Sequence, residues 1–235
     1  LLLGDGLLGR LLHRGLLLRG LLWLLAIPYA FSSWSRNRLF DFGWRRTRQV
    51  DVPVISVGNI TTGGTGKTPL VAWLARWLRD QGLLVALVSR GYGAEAGELN
   101  DEALELERML PDVPHLQNPD RVTAVRTAIA ECGSQLILLD DAFQHRRIHR
   151  DLDIVLVDAT EPFGTGYQLP RGLLRESARE LRRASLLGIT RSDLVTNDSL
   201  ESTIDRLHQL APGIPVFQLR HVPRELLAAD GRTAA

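Results

Sequence analysis

Lysine is almost missing from this sequence: of 28 basic residues, Lys67 is the one lysine and the rest are arginine. Arginine carries a planar fork, whereas lysine is a compact ammonium on a flexible stem. A lysine kept at one place marks a site where a point charge is wanted. Cysteine is as scarce. Cys132 stands alone, which excludes an internal disulfide framework and suits a reducing compartment; Cys132 itself reads as a buried filler. Long apolar runs are missing too. Within the leucine-rich front end the longest stretch without arginine, Gly20 to Ser35, is interrupted by Pro28 and falls short of the roughly 20 apolar residues a spanning helix needs. There is no internal repeat and no low-complexity segment.

What is present starts at that lysine. It lies in Gly63-Gly64-Thr65-Gly66-Lys67-Thr68, directly after the apolar run Val54-Ile55-Ser56-Val57. Glycines at such a turn let backbone N–H groups converge on an anion. A helix opening at the loop turns its positive end toward phosphates. Lys67 then reaches the β- and γ-phosphates, and Thr68 is placed to ligate Mg²⁺ through its hydroxyl. The strict form of the motif has glycine where this chain has Thr61. The ATP-binding loop is accordingly read as Thr61, Thr62, Gly63, Gly64, Thr65, Gly66, Lys67 and Thr68.

Charge is uneven along the chain. The total is +1, but residues 1–50 hold eight arginines against Asp5 and Asp41, giving +6 and leaving −5 for residues 51–235. A basic, leucine-rich front end on an acidic domain suggests an anionic membrane surface. Nucleic acid fits less well, because the arginines are interleaved with leucine. Residues 6–31 read as an amphipathic helix lying in the membrane plane. Its amphipathicity is imperfect: Arg10, His13 and Arg14 share a sector while Arg19 falls opposite. Trp23, Tyr29, Trp34 and Trp44 supply rings suited to the interface. The plainer alternative is a helix packed on the domain.

From residue 52 the pattern alternates. Strands are expected at 53–58, 83–89, 136–140, 153–158, 186–190 and 215–219, and helices at 67–80, 101–110, 119–132, 172–183 and 199–210. Short apolar strands without polar alternation imply an α/β fold: a P-loop NTPase-like parallel sheet with helices on both faces. The organisation expected is a membrane-associating segment over 1–50 and a P-loop core over 51–235. A start at Leu1 and an end without a closing element give the expectation of a fragment.

Ligands in such sheets sit beyond the carboxyl ends of the strands. After Leu136-Ile137-Leu138-Leu139 come Asp140 and Asp141, an acid placement that holds Mg²⁺ in P-loop enzymes. Adjacent residues on a strand point opposite ways, so one of the two is expected to face the metal. After the second strand comes Ser89-Arg90-Gly91-Tyr92-Gly93. Gly164 to Glu176, containing Arg171 and Arg175, reads as a substrate-facing lid entering a helix. Asn100-Asp101-Glu102 by itself reads as a helix cap. His145 and His149 suit phosphate contacts or a polar face better than a metal pair. Two negatives narrow the class. A second lysine before the double glycine, the mark of partition-type ATPases, is replaced by Thr62, and no D-x-x-G follows Asp141. Thr190-Arg191-Ser192-Asp193 does resemble the guanine-reading motif, with arginine for lysine. A membrane-associated nucleotide-dependent switch therefore stands as the second reading.

Taken together, Val57 to Pro69, Ser89 to Gly93, Asn100-Asp101-Glu102, Asp140 to Arg146, His149-Arg150-Asp151-Leu152 and Leu169-Pro170-x-Gly172-x-Leu174-Arg175-Glu176 resemble the tetraacyldisaccharide 4′-kinases, the lipid A kinases of Gram-negative-type bacteria. The resemblance implies transfer of the γ-phosphate of ATP to the 4′-hydroxyl of a tetraacylated disaccharide 1-phosphate, at the cytoplasmic face of the inner membrane. It implies ATP and Mg²⁺ and a lipid substrate; nucleic acid is not expected and no protein partner is inferred. It makes Asp101 the catalytic base beside Lys67. Metal ligands become Thr68, Asp140, Asp141 and Glu176, and substrate or phosphate contacts Arg90, Gln144, His145, Arg171 and Arg175. Asn100-Asp101-Glu102-Ala103 departs from the Gly-Asp-Glu-Pro that the family favours. The family's second, smaller domain, which supplies a histidine partner for the catalytic aspartate, is expected to lie outside this chain.

Overall fold

The structure is a computed structural model that describes residues 4–91 and 101–222, with side chains over 19–91 and 104–222. Its elements run α1 (Gly4–Asp41), β1 (Val54–Asn59), α2 (Lys67–Asp80), β2 (Val85–Ser89), α3 (Asp101–Met109), β3 (His115–Gln117), α4 (Arg121–Cys132), β4 (Leu136–Asp140), β5 (Leu152–Asp158), β6 (Leu186–Thr190), α5 (Asn197–Leu210) and β7 (Val216–Gln218). The seven strands form one sheet in the order β3-β2-β4-β1-β5-β6-β7, and every pairing is parallel.

Side-chain alternation divides the core between the two faces. Val57, Leu87, Leu136, Leu138, Ile154 and Leu156 pack with Val71, Ala75 and Leu78 of α2 and with Leu106 of α3. On the opposite face Ala86, Val88, Ile137 and Leu139 meet Val122 and Val125 of α4. Val155, Val157, Leu187 and Ile189 meet Leu207 of α5 there. Strands buried on both faces carry no polar alternation, which is why they read as short continuous apolar runs.

Three expectations change. The edge strand β3 was not expected; it has three half-buried residues, too few to show a period. The helix expected over 172–183 shrinks to a 3₁₀ turn at Ala178–Arg183. Residues 172–176 instead spend their backbone groups in strand-like bonds: Leu174 N–H donates to Tyr167 O, and Arg175 N–H to Ile60 O at 2.8 Å. Gly172 allows the close turn, since a Cβ there would stand 2.2 Å from the Tyr167 carbonyl oxygen. Finally, Cys132 ends α4 and is exposed, not a core filler.

The front-end helix is longer than expected. α1 continues to Asp41, with Pro28 inside it. Its lower half is bonded to the sheet domain by a polar stripe. Tyr29 Oη donates to Arg175 O at 3.0 Å. Arg36 pairs with Glu176, the Asn37 carbonyl accepts from Arg146 at 3.0 Å, and Asp41 pairs with Arg146 at 2.8 Å. Spacing of three, four and seven residues puts Tyr29, Ser33, Arg36, Asn37 and Asp41 on one face. Leu24 and Phe31, seven residues apart, are exposed on the other side, and Leu25 and Trp34 are exposed at the edges of the stripe. Polar groups face the protein and apolar groups face outward. No helix among the described residues is long and apolar enough to cross a membrane.

Candidate active site

The phosphate loop leaves β1 and opens α2. Gly63 and Gly66 have φ of 110° and 76°, which glycine adopts without a Cβ penalty. α2 begins with no side-chain cap and no acid in its first turn. Its first N–H groups and dipole are therefore uncompensated, as an anion site requires. Lys67 is 11% exposed and its Nζ lies 3.7 Å from Asp141 Oδ1.

Asp140 and Asp141 both reach this region, by different routes. Asp140 ends β4, opposite Val57 of β1, and is buried. It alternates with Leu136 and Leu138, so it lies on the α2 face of the sheet. Asp141 has left the strand with φ of 48°, so strand alternation no longer applies to it. Its carboxylate accepts from Arg175 Nη1 at 2.8 Å on both oxygens. Burial pushes the Asp141 carboxyl upward, but Lys67 and Arg175 outweigh it and hold the group below its ordinary 3.8.

Glu176 does not fit the metal role expected for it. The side chain is fully buried, and its oxygens accept from Arg36 and Arg183, one each. Burial pushes its carboxyl upward, while Arg183 and Arg36 pull it down. The residue joins α1, the 175–176 segment and the 3₁₀ turn.

Gln144 donates to the Asn59 carbonyl at 2.8 Å and buttresses the start of the phosphate loop. His145 is lowered to about 4 by burial, with Arg121, Arg147 and Arg150 adding to it. It is neutral near pH 7 and brings no charge to a phosphate. His149 sits 3.9 Å from Asp151. Arg90 is exposed just beyond β2, Arg171 lies over the Tyr167 ring at 3.5 Å, and Tyr92 and Gly93 lie outside the described residues. Asp101 opens α3, and its side chain lies outside the described residues. Among the described residues no group of three or more metal-ligating side chains occurs. Thr68 and Asp140 still offer hard oxygen donors of the type Mg²⁺ prefers.

The lid expected over 164–176 is tied down at its C-terminal end. Thr62 N–H donates to Leu173 O at 2.8 Å, and Thr61 bridges Leu174. Two arginines that the sequence reading missed complete the frame. Arg121 is buried and donates to the carbonyls of Asp140 and Asp141 at 3.1 and 3.0 Å. Arg191 pairs with Asp158 and donates to Gly64 O at 2.9 Å. The signal for Arg121 was an arginine in the first turn of α4, where helix charge preference disfavours it. For Arg191 it was the guanine-motif likeness; here the guanidinium braces the phosphate loop.

A parallel sheet, a glycine loop with its lysine opening a helix, and an acid ending the neighbouring strand define a P-loop nucleotide-binding fold. Comparison with known proteins narrows this. The profile of the family tetraacyldisaccharide-1-P 4′-kinase matches residues 18–235. Tetraacyldisaccharide 4′-kinase of Anaeromyxobacter sp. (strain K) is 38% identical over 91% of this chain and 60% of its own length. That of Geobacter metallireducens is 41% identical over 74% of this chain and 57% of its own. The crystal structure of LpxK from Aquifex aeolicus in complex with ATP superimposes with a TM-score of 0.67, at 27% identity, covering 87% of this chain and 82% of that one. The signal recognition particle receptor FtsY of Elizabethkingia anophelis shares the fold, with a TM-score of 0.51 at 13% identity over 81% of this chain and 64% of that one. The chain belongs to the tetraacyldisaccharide 4′-kinase family. It spans about 60% of the length of relatives such as the Anaeromyxobacter enzyme.

Proposed function

We propose that this chain is the P-loop core of a lipid kinase that moves the γ-phosphate of ATP onto the 4′-hydroxyl of a tetraacyldisaccharide 1-phosphate. The observation that carries the reading is Lys67, placed at the glycine loop and facing Asp141, in a chain of this family. The solved relative holds ATP. In the proposed reaction the 4′-oxygen attacks the γ-phosphorus, the bond to the β-phosphate oxygen breaks, and ADP leaves. Asp101 takes the hydroxyl proton. Lys67 and the N–H groups of the loop hold the phosphates. Thr68 and Asp140 would hold Mg²⁺, which when bound neutralises phosphate charge. Asp141 and Arg175 position the lysine, and Glu176 positions the segment that carries Arg175.

The membrane surface enters through α1. Its inward polar stripe and outward Leu24, Leu25, Phe31 and Trp34 suit a helix that rests on lipid while bonded to the kinase core. The proposed location is the cytoplasmic side of the inner membrane, where ATP is available. The test is product mapping: γ-labelled ATP, Mg²⁺ and the lipid disaccharide are incubated with the protein. Label on the 4′-oxygen supports the reading; label released only as inorganic phosphate contradicts it.

A further inference from the structure

Among the described residues two that are not glycine have positive φ, Asp141 at 48° and Arg191 at 54°. Such a turn is uncommon outside glycine and marks a place where the surroundings hold the backbone. Both residues stand beside the phosphate loop. Asp141 follows β4 and faces Lys67. Arg191 follows β6, and its guanidinium reaches back across β5 to the loop after β1. One nitrogen pairs with Asp158 at the end of β5, and the other donates to the Gly64 carbonyl at 2.9 Å.

The middle of the loop needs such a tie. Thr190 seats its far end, with a methyl 3.5 Å from where a Cβ at Gly66 would stand. Apart from chain neighbours, no atom of the described residues lies within 4 Å of a Cβ placed at Gly63 or Gly64. Packing therefore does not set the direction of these peptide units, and glycine leaves the backbone free to turn. Asn59 holds the Gly63 carbonyl only loosely, at 3.5 Å. The bond from Arg191 to the Gly64 carbonyl is the short one. A trans peptide unit points its carbonyl and the N–H that follows in opposite directions. A Gly64 carbonyl held toward Arg191 turns the Thr65 N–H away from it.

We infer that Arg191 is a positioning residue for phosphate binding: it fixes the Gly64–Thr65 peptide so that the Thr65 N–H donates to a bound polyphosphate, with Asp158 anchoring the guanidinium. The inference rests on the reading of residues 61–68 as the ATP loop and adds to it a residue from the far end of the sheet. Arginine suits the task because its planar fork bonds a carboxylate and a carbonyl with separate nitrogens at once. Without the guanidinium Asp158 still accepts from the Thr160 N–H and hydroxyl at 2.9 and 2.7 Å. The Arg191 side chain is 45% exposed, so its removal leaves no buried hole and the fold should persist.

The experiment compares wild type with Arg191→Gly and Arg191→Lys in the presence of Mg²⁺. Glycine keeps the left-handed turn and removes the side chain; lysine keeps the charge and loses the fork. ATP affinity is measured by calorimetry, and that of inorganic tripolyphosphate by competition with ATP. Arg191→Gly should weaken both about tenfold, the scale of one charge-assisted hydrogen bond, with the denaturation midpoint of the unliganded protein near that of wild type. Arg191→Lys should recover part of the loss. The ATP KM should rise by the same factor with kcat changed less, because the loop holds the phosphates before and during transfer. Asp158→Asn should weaken both probes too, and combining it with Arg191→Gly should add little. Loss of ATP affinity with tripolyphosphate unaffected would make Arg191 a contact to the nucleoside and overturn the inference. Affinity for both probes unchanged in Arg191→Gly and Asp158→Asn overturns it as well, and leaves the nucleotide reading standing. Wild type that binds neither probe rejects that reading itself, and the inference with it.

Discussion

Arg175 places a single guanidinium nitrogen 2.8 Å from both oxygens of Asp141, while Lys67 approaches the same carboxylate at 3.7 Å. Two cations from distant parts of the chain thus share one acid beside the phosphate loop. The arrangement holds Lys67 near the loop, and its acid is held below the ordinary carboxylate range.

The sign of the pH effect follows. A carboxyl with a lowered folded pKa contributes stability above its unfolded value of 3.8, and that contribution disappears as pH falls through the lower folded value. Asp141→Asn should therefore be less stable than wild type near neutral pH, with the gap closing in acid as the pH falls below 3.8 through the lowered folded value. Urea titrations at neutral and acid pH measure it. A gap that persists unchanged in acid would mean the ion pairs are not its source.

Glu176 separates structural from metal roles. It is fully buried between Arg36 and Arg183. Removing one partner of a buried ion pair costs about 3–5 kcal/mol, so Glu176→Ala should show a loss of that order in chemical denaturation. The Mg²⁺ concentration needed for half-maximal activity should not change in whatever protein remains folded. A normal denaturation midpoint with a raised Mg²⁺ requirement would restore the metal assignment.

The outward face of α1 predicts vesicle binding that salt weakens only in part, because apolar contact is not screened. Replacing Leu24, Leu25, Phe31 and Trp34 together with serine should release the protein from anionic vesicles in sedimentation. The inward bonds of Tyr29 and Arg36 are untouched by these changes, so stability should hold. Unchanged sedimentation would leave α1 as an ordinary packed helix.

The phosphate loop and the acid after β4 were readable in the sequence because their signals are local: strand, glycines, lysine and helix follow within a few residues. The frame around them was not. Glu176 is joined to Arg36 across 140 positions, and no local pattern announces that. A helix was expected from residue 172, yet backbone bonds of Leu174 to Tyr167 and of Arg175 to Ile60 hold this segment out of helix. The N-terminal helix looked imperfectly amphipathic because Arg19 falls opposite Arg10, His13 and Arg14; farther along, its face toward the core is apolar at Ala26 and Ala30 and polar at Ser33 and Asn37. A helix wheel averages over that change.

Asp101 tests the division between binding and chemistry. A general base contributes about 10²–10⁴-fold, so Asp101→Ala should lower kcat by that order and leave ATP affinity nearly intact. Loss of ATP binding would instead make Asp101 a nucleotide ligand, and unfolding would make it a helix cap.

The most direct measurement is a calorimetric titration of the protein with ATP in the presence of Mg²⁺, beside Lys67→Ala, Lys67→Arg and a parallel titration with GTP. The account predicts that wild type binds ATP in preference to GTP. Lys67→Ala should lose most of that affinity, and Lys67→Arg should recover it incompletely, because a planar fork does not replace a point charge in the cradle. Preference for GTP, or ATP affinity indifferent to Lys67, would contradict it.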